Sequence, residues 1–340
     1  MKILRKLLFP FAIIYGIVTK IRNFLFDQGI KKSTSFNVPV IAVGNLSVGG
    51  TGKTPQIEYL VRMLSGFYKV ATLSRGYKRQ SEGFVLADEK ANALILGDEP
   101  FQYYKKFPKI QVAVDANRTN GIEQLLSQKI KPEIILLDDA YQHRKVKAGM
   151  YILLSAYGDL YADDFILPMG NLRESRSGAK RAKIVVVTKC PASLSTEDQN
   201  KIANKLRLNA DQELYFSIIQ YDTVVQGKNG QLTVISIKGT DKVLLAGIAK
   251  PKPFFEYLKK ETDLCLTYPD HHHFSDADLN SILEKAKGKI IITTEKDYVR
   301  LKDSMLQKQL YYLPIQSRLL AKTDQFKDTI LDFVKTTHAM

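Results

Sequence analysis

At 340 residues the chain is longer than the size at which a single hydrophobic core stops growing, so two units are expected. Apolar residues make up 45% and charged residues 25%, without internal repeats or low-complexity tracts, which excludes a disordered or fibrous protein. The two cysteines, Cys190 and Cys265, form no CxxC pair, which speaks against a disulfide framework or structural zinc and fits a reducing cytoplasm; the net charge of +15 attracts polyanions, whether nucleic acid, anionic lipid headgroups or phosphorylated substrates.

The first element, residues 1–32, carries Lys2, Arg5, Lys6, Lys20, Arg22, Lys31 and Lys32 against one acid, Asp27, around the apolar run LLFPFAIIYGIV from Leu7 to Val18. That run of 12 residues is shorter than the roughly 20 needed to span a bilayer. No small-residue cleavage site follows it, as a signal peptide would require. The segment reads as lying in a membrane interface, with apolar side chains in the acyl boundary and cations on an anionic membrane surface, although a core helix carries the same kind of run.

From residue 38 short β-rich apolar runs alternate with helical patterns, the rhythm of an α/β fold with a mainly parallel sheet. Strands are expected at 38–44, 69–74, 110–115, 133–139, 151–155 and 183–189, within a nucleotide-binding unit spanning 33–220. The stretch 221–238 breaks the rhythm and reads as a linker made of two strands around Asn229-Gly230, a hairpin turn signal. The alternation resumes in KVLLAGI, LCLTYPD, KIIITTE and QLYYLPI, with helical patterns at 276–287 and 321–336, so 239–340 reads as a smaller α/β unit.

Between the first strand and a helical pattern at Ile57, Leu60, Val61 and Leu64 lies SVGGTGKT, residues 47–54. Glycines in such a loop turn successive backbone N–H groups toward phosphate oxygens, and the helix N-terminus adds partial positive charge. Ser47, Val48, Gly49, Gly50, Thr51, Gly52, Lys53 and Thr54 therefore form the expected nucleotide cradle, Lys53 reaching the outer phosphates and Thr54 binding Mg²⁺. Ser47 stands where the pattern has glycine, which a small residue satisfies if its φ stays negative. The strand IILLDD ends in Asp138 and Asp139 at the sheet's carboxyl edge, where either can hold Mg²⁺ directly or through water. After a later strand, Thr188-Lys189-Cys190-Pro191 lacks the aspartate with which guanine-selective loops read their base, which favours ATP.

Two further stretches are more polar than plain connections need to be. GDEP (97–100) puts Asp98 and Glu99 at the start of an apolar helix, where Asp98 is also a candidate N-cap. YPDHHHF (268–274) holds three consecutive histidines; neighbouring side chains diverge, so these cannot all ligate one ion, and one working imidazole or a solvated loop are the alternatives.

With VGNLSVGGTGKTP (43–55), SRGY (74–77), GDEP, LDDAYQHR (137–144), LPMGNLRE (167–174), GIAKP (247–251), DHHHF (270–274) and TEKD (294–297) in this order, the chain resembles the tetraacyldisaccharide 4'-kinase family over nearly its whole length. The resemblance implies an ATP- and Mg²⁺-dependent kinase that phosphorylates the 4'-hydroxyl of an acylated glucosamine disaccharide 1-phosphate at the cytoplasmic face of the bacterial inner membrane. It implies Asp98 as acceptor of the hydroxyl proton, His271 as its partner with His272 in reserve, and catalytic parts for Lys53, Asp138 and Asp139. Glu99, Arg75, Arg118 and Arg173 become candidates for the substrate or its phosphates. Ala140 and Tyr141 depart from the family's usual Gly-Phe and put the local turn in question. A membrane-associated nucleotide switch without a small acceptor is the rival reading, and it leaves Asp98 and His271 without a purpose. A nucleic-acid-binding protein lacks any recognition motif here.

Overall fold

The computed structural model describes Arg5 and residues 7–339, so Lys2 and Lys6 of the basic N-terminal set lie outside the described residues. Helix α1 (Phe9–Asp27) is followed by strands β1 (Val40–Asn45), β2 (Val70–Ser74), β3 (Val85–Leu86), β4 (Gln111–Val114), β5 (Ile134–Asp138), β6 (Met150–Ala156), β7 (Ile184–Thr188) and β8 (Glu213–Tyr221). Together with β15 (Ile315–Leu319) these strands make a nine-stranded sheet of order β15-β8-β7-β6-β1-β5-β2-β4-β3. Pairing is parallel from β8 through β4, and only the edge strands β3 and β15 run antiparallel to their neighbours. The central strands are unbroken apolar runs because both faces are covered. In β1, Ile41 and Val43 pack into the cluster that holds α2 (Lys53–Leu64), while Val40 and Ala42 enter the opposite one with Ile122 and Leu125 of helix Arg118–Leu126.

The second sheet has six strands, β9 (Val224–Gly227), β10 (Gly230–Thr233), β11 (Lys242–Ala246), β12 (Leu264–Thr267), β13 (Ile290–Thr294) and β14 (Leu310–Leu313), in the order β10-β9-β14-β13-β11-β12. Here the structure departs from the sequence reading in two places. The hairpin at 221–238 is no free linker: β9 pairs with β14 and so belongs to this sheet, and Gly227 pairs with Gly230, which leaves Lys228-Asn229 as the turn. Its second strand stops at Thr233, whose side chain caps a helical turn, Val234–Gly239, that buries Val234 and Ile237 at a spacing of three. The β-branched run VISIK favours a strand, and the cap overrides that preference.

The C-terminal segment is the second departure. Pro314, which cannot donate to a ladder, ends β14, and the chain crosses back so that β15 pairs with β8. The outward crossing at Asp222 lies beside it, the Asp222 N–H donating to the Pro314 carbonyl at 3.0 Å. The final helix, Thr323–Ala339, buries Phe326, Ile330 and Val334 in the core of the first sheet, Phe326 meeting Tyr59 and Tyr215 edge-on at 5.7 and 5.0 Å. Residues 315–339 are thus part of the first unit and not of the smaller one. The gaps between β8 and β9 and between β14 and β15 are short, which hid both crossings.

Helix α1 is 19 residues long, and by length and apolarity alone it would suffice to cross a bilayer, unlike the 12-residue run seen in the sequence. Its polar side is fastened to the body. Tyr15 donates to the Arg173 carbonyl at 2.9 Å, Arg22 to that of Gln142 at 2.9 Å and Asn23 to Glu174 at 2.7 Å, while Asp27 pairs with Arg144 at 2.7 Å. The opposite side leaves Phe11, Ile14, Ile17, Val18, Ile21 and Phe24 exposed, and Ala12 is the helix's buried residue. Such a contiguous apolar strip requires a covering.

Phe326→Ala tests the return of the C-terminus. The ring is fully buried, so its loss should cost about 3–5 kcal/mol in urea unfolding. A cost near zero would mean that the last helix is dispensable to the first core.

Candidate active site

The loop after β1 obeys its sequence. Positive φ values fall on Gly49 at 112° and Gly52 at 84°, and Ser47 is not among the residues with positive φ, so serine is tolerated there. Gly52 is the N-cap of α2, which places Lys53 and Thr54 in its first turn. The loop is held from outside: Val48 N–H donates to the Asn171 carbonyl at 2.8 Å, Lys189 Nζ to that of Gly50 at 2.6 Å, and Thr188 Oγ1 to that of Thr51 at 2.7 Å. Leu172 forms a bridge with Ser47, and so LPMGNLRE braces the loop's mouth.

Asp138 ends β5, and Asp139 takes a φ of 47°, a left-handed conformation that aims the two carboxylates differently. Asp138 is buried; its Oδ2 accepts from Tyr103 at 3.2 Å and its Oδ1 has no hydrogen-bond partner among the described residues. Burial, then the neighbouring Asp139, pushes its carboxyl up to about 6. Asp139 meets Lys53 at 3.5 Å and Arg173 at 2.9 Å. Burial would raise its carboxyl too, but Lys53 and Arg173 outweigh it and hold it below the usual carboxylate range. Asn45, at the end of β1, joins this group by accepting from Lys53 at 3.3 Å and from Arg173.

Helix α3 (Asp98–Lys106) supplies the other side. Its N-cap is Gly97 at φ 90°, so Asp98 is already inside the first turn and caps nothing. Its carboxylate faces the second sheet, where His271 Nδ1 lies at 3.2 Å from Oδ2 and Arg300 Nη1 donates at 3.1 Å. Burial works to raise this carboxyl, and the hydrogen bond to His271 with the Arg300 charge overcomes it, leaving Asp98 below its ordinary value. His271 itself sits at φ 58° on the loop after β12, its ring edge-on to Tyr77 of SRGY at 5.3 Å. Helix α4 (Glu295–Leu301), from TEKD, completes the group: Lys296 Nζ is 2.8 Å from His271 Nε2, 3.2 Å from Glu99 and 3.4 Å from Asp270. Asp297 ties Arg300 to the Gly247 N–H of GIAKP. At the far end of α3, Lys106 bridges Glu58 on α2 and Glu295 on α4, at 2.8 Å each.

The structure therefore gathers Lys53, Asp138, Asp139 and Arg173 on one side and Asp98, Glu99 and His271 on the other. Arg75 is exposed at the end of β2. Arg118 is buried and donates through its Nη groups to the carbonyls of Asp115 at 2.7 Å and Asp138 at 3.3 Å, which braces the turn after β5, while its Nε has no hydrogen-bond partner among the described residues. His272 turns away and meets Asp278 at 3.1 Å, between Tyr268 and Phe274, and His273 is exposed. Tyr141 is buried and donates to the Gly178 carbonyl at 2.8 Å, and a Cβ on Gly44 would come within 2.7 Å of the Tyr141 Cβ and 3.0 Å of its backbone nitrogen, so the chain after Ala140 passes too close to position 44 for a side chain there. Sequence reasoning missed Asn45, Tyr103, Lys296 and Arg300. Asn45 and Lys296 stood inside quoted motifs, but nothing in their spacing announced a partner far away in the chain.

A family model described as Tetraacyldisaccharide-1-P 4'-kinase matches residues 4–335. Proteins called tetraacyldisaccharide 4'-kinase from Flavobacterium johnsoniae and Flavobacterium psychrophilum are 70% and 61% identical to this chain, covering 98% and 99% of it and of themselves. The one from Bacteroides thetaiotaomicron is 47% identical over 98% of this chain and 94% of its own. Among solved structures, the "apo" form of LpxK from Aquifex aeolicus in complex with ATP superposes with a TM-score of 0.80 at 29% identity, covering 97% of this chain and 99% of that one. A match of this extent, carried on a parallel sheet with a phosphate loop at its edge, places the chain in the tetraacyldisaccharide-1-phosphate 4'-kinase family.

Proposed function

We propose that the protein transfers the γ-phosphate of ATP to the 4'-hydroxyl of a tetraacyldisaccharide 1-phosphate, the lipid A precursor, giving lipid IVA. The observation that carries the reading is the pairing of Asp98 with His271 across the two sheets, which a nucleotide switch without an acceptor would not need.

Phosphoryl transfer passes through a loose transition state, so the protein's work is to position groups and neutralise charge. Lys53 would reach the outer phosphates, and Arg173, which shares Asp139 with it, would offset charge on the transferred group. The sugar hydroxyl oxygen bonds to the γ-phosphorus while the bond from that phosphorus to the bridging oxygen of ADP breaks. The hydroxyl proton passes to an Asp98 carboxylate oxygen late in the step, because the hydroxyl is too weak an acid to ionise first. His271 orients that carboxylate. The residues fit Mg²⁺: the buried, unpartnered Oδ1 of Asp138 requires a positive partner, and carboxylate with the Thr54 hydroxyl is a hard oxygen donor set. Asp138 and Thr54 would hold the ion, with Asp139 the poorer ligand because Lys53 and Arg173 already occupy it. When bound with ATP, the ion neutralises charge on the phosphate oxygens.

Helix α1 gives the lipid substrate a surface to arrive from. Its exposed apolar side would enter the headgroup region of the cytoplasmic face of the inner membrane, flanked by Lys20, Lys31 and Lys32, while its tethers to Arg173 and Glu174 hold the segment 167–174, which braces the loop at Ser47, at that level.

The direct test is transfer of labelled γ-phosphate from ATP to a monophosphorylated, acylated glucosamine disaccharide in detergent micelles; ATP hydrolysis without labelled lipid would favour the switch. Asp98→Asn and His271→Ala should each lower kcat within the roughly 10²- to 10⁴-fold range of a general base, with little change in KM for ATP. Because the two act as one unit, the double variant should be little slower than the slower single variant, and multiplied losses would separate them. Replacing Phe11, Ile14 and Val18 together by Asn should lower binding to anionic vesicles by about 10-fold or more, since each loses apolar burial, while ATP binding persists. Unchanged vesicle binding would place the membrane contact elsewhere.

A further inference from the structure

We propose that Lys296 is a positioning residue that locks His271 as the neutral tautomer protonated on Nδ1, and so keeps Asp98 able to accept the hydroxyl proton. The inference rests on the kinase reading above.

The geometry allows one consistent assignment of protons. A lysine ammonium has three N–H donors and no lone pair. Lying 2.8 Å from His271 Nε2, it donates, and Nε2 must accept. The ring proton then belongs to Nδ1, which donates to the Asp98 carboxylate at 3.2 Å. Glu99 and Asp270 flank the ammonium at 3.2 and 3.4 Å and hold it in place, and Tyr77 packs edge-on to the imidazole. Asp270 is the other carboxylate near Nε2, at 4.0 Å, and Arg300 is the cation that touches Asp98 directly. These are the charged and titratable groups that face the pair from both sheets.

The consequence concerns charge. An imidazolium beside Asp98 would stabilise the carboxylate and make it a poorer proton acceptor. With Nε2 occupied by an ammonium, a second ring proton has no place, so the imidazole aligns Asp98 without adding positive charge. Without Lys296, Nε2 is free to protonate toward Asp270, and the ring pairs with Asp98 as a cation. A purely structural lysine would affect folding or substrate affinity and leave the protonation of His271 alone.

Two measurements decide it. In the intact protein, ¹⁵N-histidine NMR at neutral pH should show His271 as a neutral ring protonated on Nδ1; the Nε2-protonated tautomer or an imidazolium overturns the proposal, and this reading needs no variant to fold. In lipid kinase kinetics, Lys296→Met should lower kcat about 10- to 100-fold, a part of what a general base supplies, with KM for ATP within about two-fold. Lys296→Arg, which still donates to Nε2, should restore most of the rate, and Lys296→Met combined with His271→Ala should be no slower than His271→Ala alone. No rescue by arginine, or multiplied losses in the double variant, overturns the role of Lys296. If instead Asp98→Asn and His271→Ala themselves keep the full rate, the acceptor chemistry falls, and that result is distinct from a failure of Lys296 alone.

Discussion

A carboxylate drawn out of water at the junction of two sheets is costly unless the other sheet supplies its partners, and Asp98 is held on these terms. It belongs to a helix on the nine-stranded sheet, yet His271 and Arg300, which compensate it, belong to the six-stranded one. The same crossing of charge recurs along the seam. Glu99 reaches Lys296, Asp159 reaches Lys250, and Lys106 reaches in the opposite sense to Glu295. Since Lys106 also meets Glu58 on α2, the helix that begins at the phosphate loop, the helix that begins at Asp98 and the helix that begins at Glu295 are joined through one ammonium. The glycine-rich loop after β1 and the Asp98–His271 pair are therefore aligned by the contact that joins the two units.

Much of this architecture was legible because it follows from local periodicity. The runs at 38–44, 133–139 and 183–189 have uninterrupted apolar centres at 40–43, 134–137 and 184–187, as strands covered on both faces must, and they hold β1, β5 and β7. The loop at 47–54 announced itself through glycine placement, and the φ values fall where the glycines are. What stayed hidden depends on pairing between distant segments. Periodicity alone did not show that QSRL of β15 would pair with β8 across the other unit, and Thr233 converting a β-branched run into a helical turn is a decision of one hydroxyl.

The site divided in the same way. Lys53, Thr54, Asp138 and Asp139 stood in patterns whose chemistry is local. Choosing His271 over its two neighbours from sequence needed a resemblance; in the structure His271 is left-handed with its ring against Asp98, while His272 turns to Asp278 and the helix cap at Ser275. Arg118 shows the reverse. Its guanidinium was read as a phosphate contact alone, and the structure adds a second part that spacing did not announce, donation to two backbone carbonyls that supports the turn after Asp138.

The return of β15 and the last helix to the first sheet also orders events during synthesis. The six-stranded sheet is an insertion whose two ends lie side by side at Asp222 and Pro314. On a ribosome, β8 emerges as an open edge and waits through nearly 100 residues, about 5–20 s at the usual rate of elongation, before β15 is made. The inserted unit, complete once β14 has emerged, can fold on its own contacts in that interval. The edge of β8 and the core face awaiting Phe326 meanwhile remain open to chaperones or to another nascent chain. The larger unit is thus begun first and finished last.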